Sequence, residues 1–203
     1  MELYFAALTS SLACRIALYE ARADVTFIGV DFARRPLRSD HPHYAVHRLG
    51  LVPVLRTHAG VLLGETSAVL HHIAERFPAA GLAPQDRDEL NRWLSFIASE
   101  LHKSIFHPLF DPEAPAAVRA YALLKAGPRL AYMNDHLEGR EFMFDTFSVA
   151  DAFLFTVLNW VQATPIEFDV YPELLAYWRR LAKRPSIAQA LAVERPLYQG
   201  MER

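Results

Sequence analysis

The chain has 203 residues, 52% of them hydrophobic and 22% charged, which is enough for one large domain or two small ones with an ample core. Its net charge is −2 with acids and bases interspersed, so there is no basic face of the kind nucleic acid requires, and nucleic-acid binding is not expected. The single cysteine, Cys14, excludes an internal disulfide, a Cys-x-x-Cys redox pair and a thiolate zinc site, so any sulfur chemistry involves Cys14 or a thiol brought by a ligand.

Glu2 to Phe5 reads as a short strand. The first eight residues show no basic flank, long apolar core and cleavage site of a secretion signal, so the expected location is cytoplasmic. Ser11 to Arg22 reads as a helix with Leu12, Ile16 and Tyr19 on one face, and Val25 to Val30 as a second strand. Strand, helix, strand implies a right-handed crossover and parallel pairing. Residues 31–48 are irregular and polar, a loop with one short helix. Leu51-Val52-Pro53-Val54-Leu55 would be a buried strand but for Pro53, whose missing N–H breaks a ladder unless the residue marks a first position, an edge, a bulge or a cis bond at a sharp entry turn. A cis Val52-Pro53 bond is the expectation, turning the Val52 N–H and C=O outward toward a ligand. Thr57 to Gly60 makes a turn and Val61 to Leu63 a third short strand. Gly64-Glu65-Thr66-Ser67 then opens a helix running to Phe77, with small polar groups at its positive end, where an anion is favoured. The order βαβ then ββα describes an α/β domain over residues 1–77. Residues 78–85, rich in helix breakers, are a linker, and residues 86–203 form an all-helical C-terminal domain.

In that second part, Asp86 to Phe110 carries apolar residues at Leu90, Leu94, Ile97, Leu101 and Ile105, one buried stripe. Ser95, Ser99, His102, Lys103 and Phe106 fall on a separate strip that can face a cleft. Further helices are expected at Ala114 to Leu137, Val149 to Ala163, Pro172 to Lys183 and Ser186 to Val193. Ser148 and Asp151 form a capping box, with Asp in place of the usual Glu, worth ~1 kcal/mol. The helix it opens is apolar nearly all round and belongs in the centre of a bundle. Its charge-free stretch, Ala152 to Ile166, is broken by Asn159, Gln162 and Pro165 and is shorter than the ~20 residues a membrane span needs, so no membrane partner is expected. His41, His43, His71 and His72 lack a completing carboxylate or thiolate; they read as solvated, and no metal site is expected.

Taken together, Val52-Pro53, Glu65-Thr66 at a helix start, the linker and a helix opened by Ser148-x-x-Asp151 resemble a cytosolic glutathione transferase over the whole chain. Leu3-Tyr4, Ser11-Leu12-Ala13, Ile16-Ala17-Leu18, Ser99-Glu100-Leu101-His102-Lys103 and Leu158-Asn159-Trp160 make the resemblance strongest to the bacterial beta class. It implies a thioredoxin-like first domain, a homodimer, glutathione as co-substrate with no tightly bound cofactor, and a small hydrophobic electrophile as second substrate. In the glutathione site it implies, the Thr66 hydroxyl and helix N–H groups take the γ-glutamyl carboxylate, Glu65 pairs with the ammonium, and the Val52 backbone bonds the cysteinyl residue as an added strand does. Arg34 or Arg35, the latter preferred, would meet the glycine carboxylate. His102 and Lys103 are carried over as cleft residues, with Phe106 and Trp160 as candidates for the hydrophobic site.

The chemistry needs a glutathione thiolate. A thiol of reference pKa near 8.5 must be lowered by roughly 1.5 units, about 2 kcal/mol, to be half ionised at pH 7. A helix N-terminus and one donor can supply this. Ser10 and Ser11 stand where the first strand gives way to the first helix. The beta class typically has cysteine at the position matching Ser10, so serine removes a mixed-disulfide route and leaves hydroxyl donation by Ser10 or Ser11. Tyr4 is a third candidate at a position that is generally structural in that class, and Cys14, one turn into the helix, cannot replace the missing thiol. Conjugation of glutathione to hydrophobic electrophiles is therefore the leading expectation. Isomerisation, dehalogenation or peroxide reduction on the same fold, or a non-catalytic binding module, are the alternatives.

Overall fold

The computed structural model describes residues 1–30 and 42–201, which form two compact units. The first holds strands β1 (Glu2–Phe5), β2 (Thr26–Gly29), β3 (Val54–Arg56) and β4 (Leu62–Gly64) with helices α1 (Ser11–Glu20), α2 (His43–Val46) and α3 (Thr66–Arg76). The sheet order is β2-β1-β3-β4, with β1 parallel to β2 and antiparallel to β3, and β3 antiparallel to β4. This is a thioredoxin-like sheet, and its connectivity is the βαβ-ββα order expected from the alternation of patterns. Burial explains its cohesion: Leu3 and Phe5 of β1 are buried with period two, Val54 and Leu55 of β3 are buried on both faces of the sheet, and Leu12, Ile16, Val69, Leu70 and Ile73 bring the apolar faces of α1 and α3 together.

Pro53 precedes the ladder instead of interrupting it. The strand expected over Leu51 to Leu55 begins only at Val54, because a residue without an N–H cannot donate to a neighbouring strand. The Val52-Pro53 peptide bond is cis, as the sequence leads one to expect.

The second unit spans Ala83–Lys183. It contains α4 (Arg87–Phe96), a π-helical continuation (Ile97–Phe106), α5 (His107–Phe110), α6 (Ala116–His136), α7 (Val149–Asn159) and α8 (Pro172–Leu181). Every residue of α7 from Val149 to Leu158 is buried, which makes it the central helix of this unit. The capping box at its start is formed: the Ser148 N–H donates to Asp151 Oδ2 at 2.8 Å and the Ala150 N–H to Ser148 Oγ at 3.2 Å. Asp151, fully buried, also accepts from the Met143 N–H (2.7 Å), the Ser148 hydroxyl (2.7 Å) and the Tyr177 hydroxyl (2.8 Å). The carboxylate thus ties the loop before α7 and the body of α8 to the α7 N-terminus.

The stripe Leu90, Leu94, Ile97, Leu101, Ile105 is buried as expected. Phe106 is a correction to the cleft-facing strip, since it is fully buried. The strip assumes α-helical turns throughout, whereas bonding from i to i+5 over Ile97–Phe106 widens the turn and carries later residues round the axis.

The last helix, α9 (Pro185–Met201), groups with the sheet unit and not with the preceding helices. It lies against α1, where Arg184 donates to both Glu20 carboxylate oxygens at 2.6 and 2.8 Å and Ser186 also donates to Glu20. The helical pattern of 186–193 specifies an apolar face but not which core receives it. Among the described residues, no helix is long and apolar enough to cross a membrane.

Candidate active site

Strand register brings the candidate residues of the first unit to one end of the sheet. Val54 pairs with Gly64 and with Tyr4, so the segments just beyond those pairs all leave the sheet at the same end: Val52 before β3, Thr66 after β4, and Ala6 to Ser10 after β1. Two helices start there, α1 at Ser11 and α3 at Thr66; the first amides of α1 are taken by the Thr9 hydroxyl (3.4 Å) and by the Thr9 and Ser10 carbonyls (3.0 and 3.2 Å), whereas the Glu65 side chain makes no capping bond to α3. The positive ends of their macrodipoles make this end of the sheet electropositive.

The loop from β1 to α1 is wired by side chains. The Ser11 hydroxyl donates to the Ala6 carbonyl at 3.0 Å, accepts from the Ala6 N–H at 3.2 Å and lies 2.9 Å from the Thr9 hydroxyl, which itself bonds the Ala6 carbonyl at 2.9 Å. Leu8 takes a left-handed conformation (φ 58°), and its N–H donates to Glu194 of α9 at 2.7 Å. Glu194 in turn accepts from Arg15 Nε of α1 at 2.6 Å, both side chains being almost wholly buried, while the guanidinium stacks on Phe5 and Phe27. Burial pushes the Glu194 carboxyl up, and the Leu8 N–H and the Arg15 charge pull it back. Sequence reading missed Arg15 and Glu194; the signal available was a charged residue on the buried face of each amphipathic helix.

Ser10 differs from its neighbour. It is 5% exposed, and its hydroxyl has no hydrogen-bond partner among the described residues. The Tyr4 hydroxyl is engaged, donating to Glu2 at 3.1 Å and accepting from Arg56 Nη2 at 3.1 Å. Cys14 is fully buried, and its thiol is pushed well above the usual range by burial first and then by the Glu194 charge, so it stays protonated and out of reach.

The Val52 N–H and C=O have no partner among the described residues, and neither does the buried Thr66 hydroxyl. Glu65, exposed, is held at φ 65°, a conformation that non-glycine residues rarely adopt and that concentrates at functional sites. Arg34 and Arg35 lie outside the described residues. His43 corrects the reading of solvated histidines: it is 3% exposed, with Nε2 donating to the Leu51 carbonyl at 2.8 Å.

The remaining candidates sit together in the second unit. His102 meets Trp160 edge-on at 5.0 Å between ring centroids and Phe153 at 6.4 Å, and Phe106 meets Trp160 at 5.6 Å and Phe110 at 6.2 Å. Phe110, 45% exposed, was not anticipated from sequence. Burial in this aromatic group, reinforced by the Lys103 and His107 charges, pushes the His102 imidazole down to about 4, so the ring is neutral at pH 7. Lys103 is exposed. No cluster of side chains able to hold a metal ion occurs among the described residues.

Residues 2–75 match the family model described as "Glutathione S-transferase, N-terminal domain", and residues 125–180 match "Glutathione S-transferase, C-terminal domain". Glutathione S-transferase GstA of Escherichia coli O157:H7 is 34% identical over 199 residues, covering 96% of this chain and 98% of the relative. The chain belongs to the glutathione S-transferase family. Among solved structures, a sphingomonad glutathione S-transferase complexed with glutathione is 38% identical, with a TM-score of 0.88 over 96% of this chain and 98% of the other. The bacterial beta class glutathione S-transferase of Sphingomonas chungbukensis is 37% identical, with a TM-score of 0.88 over the same shares. The likeness of this transferase to those proteins extends through both units.

Proposed function

We propose that this transferase binds glutathione at the end of the sheet where Val52, Thr66 and Ser10 converge, and conjugates its thiolate to a small hydrophobic electrophile. The observation that carries the reading is the unpaired Val52 backbone at the same sheet end as the N-termini of α1 and α3, the latter without a capping bond from its N-cap side chain. An N–H and a C=O left open beyond the end of a strand are what an added peptide strand requires, and the α3 N-terminus with the Thr66 hydroxyl suits the γ-glutamyl carboxylate. Glu65 supplies a carboxylate for the adjacent ammonium, and Arg35 is assigned to the glycine carboxylate on its place in the sequence alone.

Thiolate stabilisation falls to Ser10. Its hydroxyl is uncommitted, whereas that of Ser11 is spent on the Ala6 carbonyl, and Ser10 stands at the positive end of α1. A serine here, where the beta class typically has cysteine, leaves no thiol for a mixed disulfide with glutathione. His102, Phe110 and Trp160, packed on the buried Phe106, offer the second unit an apolar surface for the electrophile, with Lys103 exposed beside it. The active form is a homodimer, acting in the cytoplasm.

The test is glutathione binding by calorimetry and turnover with an aryl halide, in the wild type and in Thr66→Ala and Ser10→Ala. Weakened binding in the first variant and slowed thiolate formation in the second are expected. Absence of glutathione binding by the wild type would sink the assignment.

A further inference from the structure

The residue immediately before Val52 has both of its backbone groups held by imidazoles. His43 opens α2 and His47 follows its last residue as the extended C-cap; His43 Nε2 donates to the Leu51 carbonyl at 2.8 Å, and the Leu51 N–H points to His47 Nδ1 at 3.3 Å. His47 gathers the whole turn: its Nδ1 also accepts the Leu49 N–H at 3.2 Å, and its backbone carbonyl accepts the Gly50 N–H at 2.8 Å. Three successive amides therefore close on one histidine, a path that needs the positive φ of Gly50 (65°). The roles of both rings follow from their partners. A carbonyl only accepts, so His43 carries its proton on Nε2, and two N–H donors require His47 Nδ1 to be bare.

The Leu51 carbonyl and the Val52 N–H belong to one planar trans peptide, in which they point in opposite directions. Gripping the carbonyl from the buried His43 side therefore aims the Val52 N–H away from His43, toward the sheet end where nothing of the described protein pairs with it.

We propose that His43 and His47 are positioning residues for glutathione recognition, holding the Leu51–Val52 peptide plane in the orientation that receives the cysteinyl residue. This rests on the reading of Val52 as the edge that glutathione joins. Without the two imidazoles the turn from Leu49 to Leu51 keeps only the Gly50 bond, and the Val52 edge must be ordered anew each time the tripeptide binds. The loss then appears in glutathione affinity and not in the chemical step.

The experiment uses His43→Phe, which keeps a planar buried ring without the donor, His47→Ala, which removes the acceptor, and His47→Asn, whose amide oxygen stands where Nδ1 stood. Glutathione Kd by calorimetry, the kcat and both KM values with an aryl halide, and thermal unfolding are measured for each. H43F and H47A are expected to raise the glutathione Kd and KM by about tenfold, in line with the loss of one to two hydrogen bonds, with kcat at saturating glutathione within about twofold and the aryl halide KM unchanged. H47N is expected to recover most of the affinity. If H43F does not fold, the H47A and H47N pair at the half-exposed site carries the test. Wild-type affinity in folded H43F and H47A, with normal binding by the wild type, overturns this inference alone. An H47A loss that H47N does not recover overturns the acceptor role of His47. Failure of the wild type to bind glutathione overturns the functional reading and this inference together.

Discussion

Ser10 and Ser11 are adjacent, of one type, and both buried, yet the structure assigns them separable consequences. Ser11→Ala removes a hydroxyl that donates to Ala6, accepts from Ala6 and bridges to Thr9. At about 1 kcal/mol net per bond the cost is about 2–3 kcal/mol of stability, or a fall in Tm of roughly 5–10 °C for a chain of this size. Ser10→Ala strands no partner among the described residues, so stability should change by less than about 0.5 kcal/mol. If its hydroxyl donates to the glutathione sulfur, however, removing it raises the thiol pKa by roughly one unit, about 1.4 kcal/mol. The sign is fixed by the protonation state stabilised: a donor favours the thiolate, so its loss moves the pH–rate profile to higher pH. Turnover drops about tenfold well below the thiol pKa and is unchanged well above it. Thiolate absorbance of enzyme-bound glutathione against pH, with thermal unfolding on the same samples, reads both effects. The reasoning is refuted if Ser10→Ala titrates like the wild type, or if Ser11→Ala raises the thiol pKa while its Tm stays put.

Asp151→Asn keeps the shape of the α7 cap but turns an amide donor toward Ser148 or Met143, leaving at least one buried donor facing another; a loss of about 3 kcal/mol in urea unfolding is expected, and a loss under about 1 kcal/mol would contradict the network. His102 supplies a pH prediction. Its folded pKa lies near 4 and its unfolded one near 6.5, so between those values the unfolded chain binds the proton and the folded protein does not. Stability attributable to His102 is therefore present above pH ~6.5 and declines as pH falls toward 4, by about 2 kcal/mol once solvent contact with the half-buried ring is allowed for. Urea unfolding at pH 7 and pH 4 should show the wild type losing that much relative to His102→Gln, and parallel pH dependences would disprove it.

The first unit was legible because its patterns are short-range and each is tied to one kind of element. Alternation over Glu2 to Phe5 and the apolar face of Ser11 to Glu20 each point to one element, Pro53 narrows the next strand to a few solutions, and their order leaves one compact connectivity. The cap at Ser148 was legible for the same reason, being a contact between residues three apart. Phe106 was misplaced because a wheel drawn at α-helical spacing cannot register a change of helix type along Ile97–Phe106. Nothing local to His43 distinguishes a solvated imidazole from one buried under a loop eight residues away in the chain.

By itself the sequence determined a thioredoxin-like sheet unit followed by helices, the cis bond before Pro53, the helix start at Thr66, and the absence of a second thiol. Those follow from backbone sterics, side-chain periodicity and composition, which act within a few residues. The tertiary structure alone decided that α9 returns to the sheet unit to bring Glu194 to Leu8 and Arg15, that the Ser11 hydroxyl is occupied while that of Ser10 is not, and that two histidines hold the peptide before Val52. Each of these is a pairing of polar groups across a fold. Which donor finds which acceptor is set by where packing leaves them, and serine, histidine or glutamate at a position carries no record of that choice.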